Sequence, residues 1–292
     1  MLNFFGSLFI LFGLPVIGFT IWVEWFVKRR DHKSRRPFDE MPRPPGWSLN
    51  ERMQDMMSRY VVQFMCSTMI SVFAWALLLY GKIPSVYIYM FALPASILML
   101  VIASRTLVSY ANHRLGLLGE QVVGQVLDQI SGPELRVYHD LEIKDPGRKT
   151  WNIDHVVVTY AGVFAIETKA RRKPRRTKGG QKGHHLIYDG KQIIFPNPMK
   201  PDRRCLQQAN KNSETLSQKL STQNGGHIPV TPVLVFPGWW VECKAKGPVS
   251  VMNAKQLPNF LANRNRIFSD QQFRAITNQL EEKTRIDLSA PS

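Results

Sequence analysis

The sequence predicts a two-part chain: three membrane-spanning helices in the first third, then an α/β domain with a mixed sheet flanked by helices. Three observations predict it. Most long apolar runs of the 292 residues fall before residue 104. Beyond that point short β-like runs are interleaved with helical stripes. Basic residues gather in the segments that flank the apolar runs and in the second half.

The apolar runs lie at about 4–26, 61–80 and 85–103, each close to the roughly 20 helical residues that cross a hydrocarbon core of roughly 30 Å. No basic residue precedes the first run and no small-x-small site follows it, which argues against a cleaved signal peptide. Trp22, Trp25 and Lys28 at its end form an interfacial belt. The following loop, 28–60, carries Lys28, Arg29, Arg30, Lys33, Arg35, Arg36, Arg43, Arg52 and Arg59, whereas the turn between the second and third runs holds only Lys82. Positive charge stays inside, so the N-terminus is expected outside, with the 28–60 loop and everything after Arg105 in the cytosol. A bacterial inner membrane is the default location, because no sorting motif gives another address. The Pro-rich piece 37–45 reads as a linker, and Pro94 as a point of bending in the third span. Gln63, Ser67, Thr68 and Ser71 are candidates for pairing helices. No ionisable side chain sits at mid-depth, which favours an anchor over a transporter.

The formal net charge is +16, and residues 105–292 alone hold 28 Lys and Arg against 16 Asp and Glu. Such an excess implies a polyanionic partner, either nucleic acid or anionic lipid. Cys66, Cys205 and Cys243 are scattered, with no second Cys or His at metal-ligand spacing, so reduced thiols are expected and a zinc site is not.

In the second half the apolar positions Leu115, Leu118, Val122, Val123, Val126, Leu127 and Ile130 share one helical stripe, which Ser131-Gly132-Pro133 stops. Strands are predicted at 135–143, 151–159 and 163–169, and a hairpin around 186–188 and 192–195 with Asp189-Gly190 at its turn. A polar helix is expected at 202–220, strands at 230–236 and 249–252, and one or two helices within 254–287. This ordering divides the chain into a membrane anchor at 1–104, a domain at 105–265 and a helical tail at 266–292.

Residues 152–169 carry the chemistry. Two strands joined by a turn at Tyr160-Ala161 set Thr159 opposite Gly162, and the same register places Asp154 opposite Glu167. Opposed residues have Cβ atoms about 4.5–5.5 Å apart, and two carboxylates there repel unless a cation lies between them. Period two adds Lys169 to the face of Glu167, with Phe164, Ile166 and Thr168 on the other. Paired carboxylates suit Mg²⁺ or Mn²⁺, and such an ion activates water against a phosphodiester. Lys169 would orient that water, or stabilise charge on the phosphate.

The Gly119-Glu120 pair, Ile153-Asp154-His155, Gly162-Val163-Phe164, Ile166-Glu167-Thr168-Lys169, Asn197-Pro198 and Val233-Leu234-Val235-Phe236 together resemble the PD-(D/E)xK nuclease superfamily, and within it the nuclease-related domain family NERD. The resemblance covers residues 113–262. It implies a restriction-endonuclease-like fold, Asp154 and Glu167 as metal ligands with the Thr168 carbonyl, Lys169 as the catalytic lysine, and Glu120 as a supporting acid. Two departures stand out. Ile153 replaces the motif's proline, and the glutamine that often follows Asn-Pro is displaced, so that the nearest are Gln207 and Gln208.

Arg171, Arg172, Lys173, Arg175, Arg176, Lys178 and Lys182 follow the active-looking strand directly. They are expected to bind phosphates, with affinity that falls with salt and reads no base; the competing reading lays them on anionic lipid. Strand alternation turns His155 away from Asp154, as a packed or hydrogen-bonded histidine. Trp151 reads as a strand-edge packing residue, and Trp239-Trp240 as a loop tucked against the core. The function expected is a membrane-tethered, divalent-metal-dependent nuclease acting on DNA ahead of RNA. Its rival is a non-catalytic adaptor that binds nucleic acid or lipid.

Overall fold

The structure, a computed structural model, describes residues 40–81, 84–144, 150–177 and 182–287, together with Gly18, Trp22, Trp25 and Arg29. The rest of the first apolar run and of the 28–36 basic cluster, and Lys178, lie outside the described residues. Two compact units form: Met1–Met41, Gln54–Tyr110 and Ile286–Ser292 in one, Pro42–Met53 and Ala111–Arg285 in the other. This division differs from the sequence-based one at both ends of the α/β domain. It adds twelve residues from the loop before the second apolar run and most of the expected tail.

Among the described residues two helices are long and apolar enough to cross a membrane, α1 (Trp47–Tyr80) and α2 (Ser85–Ile130); the third expected span, 4–26, falls outside them. Helix α1 starts well before its apolar run, and α2 joins the span expected at 85–103 to the amphipathic helix expected at 114–130. No Gly or Pro stands between Ala103 and Arg114, so nothing in the backbone ends the helix there. It also continues through Pro94. In the first unit Ser67 donates to the Ser96 carbonyl at 3.3 Å, Ser71 and Ser96 share a 3.1 Å bond, and Thr106 donates to Gln63 at 3.0 Å. Thr68 instead bonds back to its own helix. Large apolar side chains such as Trp75, Met90 and Phe91 stay exposed.

After the short β1 (Glu40–Pro42), the second unit contributes β2 (Leu135–Ile143), β3 (Trp151–Thr159), β4 (Gly162–Thr168), β5 (His185–Tyr188), β6 (Ile193–Ile194), α3 (Arg204–Asn224), β7 (Val230–Val235), β8 (Trp240–Cys243), β9 (Ser250–Met252), α4 (Leu257–Ala262) and α5 (Asp270–Thr284). The expected mixed sheet is the five-stranded one, in the order β2-β3-β4-β7-β9, and a separate three-stranded sheet has the order β6-β5-β8. In the larger, β2, β3 and β4 are antiparallel neighbours, while β7 runs parallel to β4 and β9 to β7. The sequence predicts loop at Trp239-Trp240, but parallel pairing with β5 makes Trp240–Cys243 a strand, β8. Trp240 on it is 63% exposed, contrary to expectation, whereas Trp239 is buried.

Helix α2 covers one face of the larger sheet, its Val123 and Leu127 meeting Val157, Phe164, Ile166, Val233 and Val235. Helices α3 and α5 cover the other, with Leu216, Leu220, Phe273, Ile276 and Leu280 against Val156, Val158, Val163 and Ala165. Every residue of β4 is therefore buried, and the strand reads as a continuous apolar run up to Glu167. Ile166→Ala is expected to cost about 2–5 kcal/mol in urea unfolding of the full chain in detergent; a loss under about 1 kcal/mol would contradict this packing.

Alternation breaks once in each of two strands. Tyr138 and Leu141, three residues apart, reach the same side, as do Ile153 and Val156. At the break in β2 stands Asp140, the one non-glycine with positive φ (51°) among the described residues. The register passes from His139↔His155 to Leu141↔Ile153, so Asp140 and Asp154 share the point where both strands turn over.

Candidate active site

The β3–β4 register runs from Thr159↔Gly162 to His155↔Ile166, as the two-residue turn requires. One step further Asp154 and Glu167 come together at the end of the hairpin. The Asp154 carboxylate accepts a 2.7 Å hydrogen bond from the Thr168 backbone N–H. Glu167 points toward α3, where Asn212 Nδ2 donates to its Oε2 at 2.9 Å. Lys169, on the same face, donates from Nζ to Glu167 Oε1 at 2.6 Å and to Gln208 Oε1 at 3.0 Å. Its backbone N–H is held by the Val235 carbonyl at 2.9 Å, which ties the end of β4 to β7.

Glu120 arrives from the opposite helix. Gly119 allows this approach: a Cβ there would stand 2.6 Å from the Ala170 Cβ, so a larger residue would push α2 off the end of β4. Glu120 lies beyond the apolar part of α2 and is buried. Burial, then the charges of Asp140 and Glu167, raise its pKa to about 8. Desolvation and the charges of Glu167 and Glu120 push the Asp154 carboxyl well above its usual range, although part of the residue stays open to solvent. Burial also raises Glu167 against the pull of Lys169 and Asn212. For Lys169 burial works against the ammonium, but Glu167 and Asp154 together outweigh it and raise the pKa. The amine is thus charged at neutral pH among more carboxyl groups than it can balance.

Three residues of this constellation were not singled out as site residues from the sequence. Asn212 interrupts the buried stripe Cys205, Ala209, Leu216 and Leu220 of α3, and a polar residue in such a stripe is the signal that could have found it. Trp151 Nε1 donates to Asn212 Oδ1 at 3.1 Å, which turns the amide so that its NH₂ faces Glu167. Gln208, one turn earlier, takes a role the sequence left in doubt. Asp140, buried and electrostatically coupled to Glu120, is the third.

His155 makes its side-chain contact with β2, and through it with α2, instead of with the acidic centre. Its Nδ1 meets His139 Nδ1 at 2.8 Å, and His139 Nε2 meets Asp128 at 2.9 Å. Burial and the neighbouring His139 lower the His155 pKa, so the ring is neutral. The basic residues Arg171, Arg172, Lys173, Arg175, Arg176 and Lys182 are exposed; Arg171 pairs with Asp202 at 2.6 Å. Lys178 lies outside the described residues.

Residues 115–237 match the family model of NERD, the nuclease-related domain. No curated protein and no solved structure gives a significant match to the chain. The NERD match takes in Glu120, Asp140, Asp154, Glu167, Lys169, Gln208 and Asn212, so every side chain of the acidic centre lies inside it. Two observations bear on whether a divalent cation fits. Buried carboxyls raised by burial and mutual repulsion are what such a charge relieves. Thr168 Oγ1 beside Asp154 is buried with no hydrogen-bond partner. The donor chemistry therefore fits a hard cation. Among the described residues no three of His, Cys, Asp and Glu form a ready-made cage, and Thr168, Lys169 and Asn212 hydrogen-bond to the carboxylates of Asp154 and Glu167.

Proposed function

We propose that the chain is a membrane-anchored, divalent-metal-dependent nuclease with a restriction-endonuclease-like core, hydrolysing phosphodiester bonds of DNA, or of RNA, on the cytosolic face. The observation that carries this reading is the Lys169 ammonium, fixed between Glu167 and Gln208 at the open edge of the Asp154–Glu167 pair, inside the NERD match. Asp154, Glu167 and the Thr168 carbonyl would hold Mg²⁺ or Mn²⁺, with Glu120 in support. When bound, the ion polarises the phosphodiester and lowers the pKa of a water.

The chain's own residues do the rest. Lys169 carries its proton at neutral pH, so its part is to place positive charge beside the scissile phosphate. Gln208 holds the amine in one direction, and Asn212 fixes the carboxylate that the amine leans on. Arg172, Lys173, Arg175, Arg176 and Lys182 are exposed and suited to neutralising backbone phosphates, as is Lys178 by its sequence. Support for the anchor is the length and composition of α1 and α2 and the apolar side chains they leave uncovered.

The test is cleavage of plasmid DNA, linear DNA and RNA by the full chain in detergent, with Mg²⁺, Mn²⁺ or EDTA. Cleavage that needs metal supports the reading. Binding with a steep salt dependence and no cleavage under any metal would make the domain a docking module. Gln208→Ala is expected to slow cleavage by about 10-fold, since a residue that orients a working group typically contributes about 10–100-fold. An unchanged rate would remove Gln208 from the site.

A further inference from the structure

Pro42–Met53, which ends with the first seven residues of α1, lies in the stretch the sequence reads as a loop between apolar runs, yet it packs with the α/β unit and against the acidic centre. Ser48 Oγ donates to Asp140 Oδ1 at 2.6 Å, and the Ser48 backbone N–H donates to Asp140 Oδ2 at 3.2 Å. Arg43 Nη1 donates to the Asp140 carbonyl at 3.2 Å and Nη2 to Glu142 at 3.3 Å, while the Arg43 backbone N–H reaches the Thr284 carbonyl at 3.0 Å. Pro45 lies against α2 at Gly124, where a Cβ would stand 2.4 Å from the Pro45 Cγ.

Three of these contacts meet at Asp140. Ser48 is the second residue of α1, so the Asp140 carboxylate satisfies a donor at the start of that helix, where negative charge is favoured. Its backbone is left-handed at φ 51°, a conformation that is unfavourable for a non-glycine residue and persists only where the surroundings hold it. Asp140 also marks the turnover that β2 shares with β3, whose Asp154 accepts from Thr168 beside Glu167.

We propose that Ser48 and Arg43 are positioning residues of the acidic centre: acting through Asp140, they hold the strand reversal that sets Asp154 beside Glu167 for a divalent cation. The inference rests on the metal-dependent reading of that centre. Released from Ser48 and Arg43, Asp140 has no support for its left-handed backbone, and the reversal relaxes toward ordinary alternation. Asp154 then loses its place against Thr168, and the cation loses a ligand. The segment next to the long apolar helix is on this account a working part of the site rather than a tether.

Mn²⁺ binding, followed by electron paramagnetic resonance on the full chain in detergent without nucleic acid, tests this. Ser48→Ala is expected to weaken Mn²⁺ binding by about 10-fold or more, whereas Ser48→Thr, which keeps the hydroxyl, binds like wild type. Thermal unfolding measured alongside separates positioning from loss of fold. If Ser48→Ala does not fold, Arg43→Gln, which leaves the Ser48–Asp140 bonds in place, is expected to show the same weakening. A folded Ser48→Ala or Arg43→Gln variant with wild-type Mn²⁺ affinity overturns the proposal, as does a wild type that binds no Mn²⁺. A wild type that binds Mn²⁺ but cuts no nucleic acid overturns the nuclease reading instead, and the comparison of affinities still decides the role of Ser48.

Discussion

Lys169→Ala is expected to slow metal-dependent cleavage by about a hundred- to a thousand-fold, the loss seen when one preorganised donor to a developing charge is removed, while Mn²⁺ binding is kept or tightened. The two halves of the prediction come from the same geometry. The Lys169 amine lies 2.6 Å from Glu167 and 3.0 Å from Gln208, and no other ammonium or guanidinium among the described residues makes a salt bridge with Glu167 or Asp154. Removing it takes away the positive charge offered to the phosphate. It also leaves the carboxyl groups with less compensation, which favours a bound cation. A lysine that served only to neutralise Glu167 would behave differently: its alanine variant would cut normally once metal was saturating. Cleavage rates across a metal titration, with Mn²⁺ binding measured in parallel, distinguish the two outcomes. Retention of cleavage within ten-fold of wild type would remove Lys169 from the chemistry.

The metal-free protein is expected to lose stability between about pH 4.5 and pH 8, and Glu120→Gln to flatten that loss. In the unfolded chain Glu120 ionises near its ordinary value of 4.5, whereas in the fold burial and the charges of Asp140 and Glu167 keep it protonated up to about 8. Across that interval the native state binds more protons than the unfolded state, so stability falls as pH rises. The stabilisation is fully present below the lower value and gone once pH passes through the upper. A shift of this size corresponds to a few kcal/mol, to order of magnitude. Asp154 and Glu167 are raised too and act in the same direction. Saturating Mg²⁺ or Mn²⁺ opposes the trend, because it favours the ionised carboxylates. Urea unfolding in EDTA over a pH series measures the slope, and repetition with metal measures its reversal. A slope of the opposite sign in wild type, or an unchanged slope in Glu120→Gln, would contradict the burial and crowding described for Glu120.

The centre of the site was legible because local rules fix it. A two-residue turn at Tyr160-Ala161 and period-two alternation set the register that brings Asp154 to Glu167 and puts Lys169 on the Glu167 face. The bounds of β2 and β3 were equally plain from their β-branched and aromatic residues between turn signals. What escaped depends on contacts between distant residues. Ser48 and Asp140 are separated by 92 positions, and a serine in a polar loop carries no mark of its partner. Gln208 and Asn212 were visible as polar positions of an expected helix, but which face met the sheet could be read only from the packed structure. The left-handed Asp140 lies inside a run that otherwise reads as a regular strand, and Asp is one of the residues that adopts that conformation with least penalty. Helix α2 runs on through 104–113, where the apolar span gives way to mixed composition with no helix-breaking residue.

Strands β4 and β7 run parallel and end side by side, and each hands the chain to a loop at that end. The two loops are fastened to each other where they leave: Trp239 Nε1 donates to the Arg171 carbonyl at 3.2 Å. The basic segment re-enters regular structure only at His185, in the smaller sheet, where the His185 N–H is held by the Lys182 carbonyl. Between those two moorings its described residues form neither helix nor strand. Insertions, deletions and charge reversals between Arg172 and Gly183 are therefore tolerated by the sheet that carries Asp154, Glu167 and Lys169. On the proposed reading, the segment that meets nucleic acid can therefore change while Asp154, Glu167 and Lys169 keep their places.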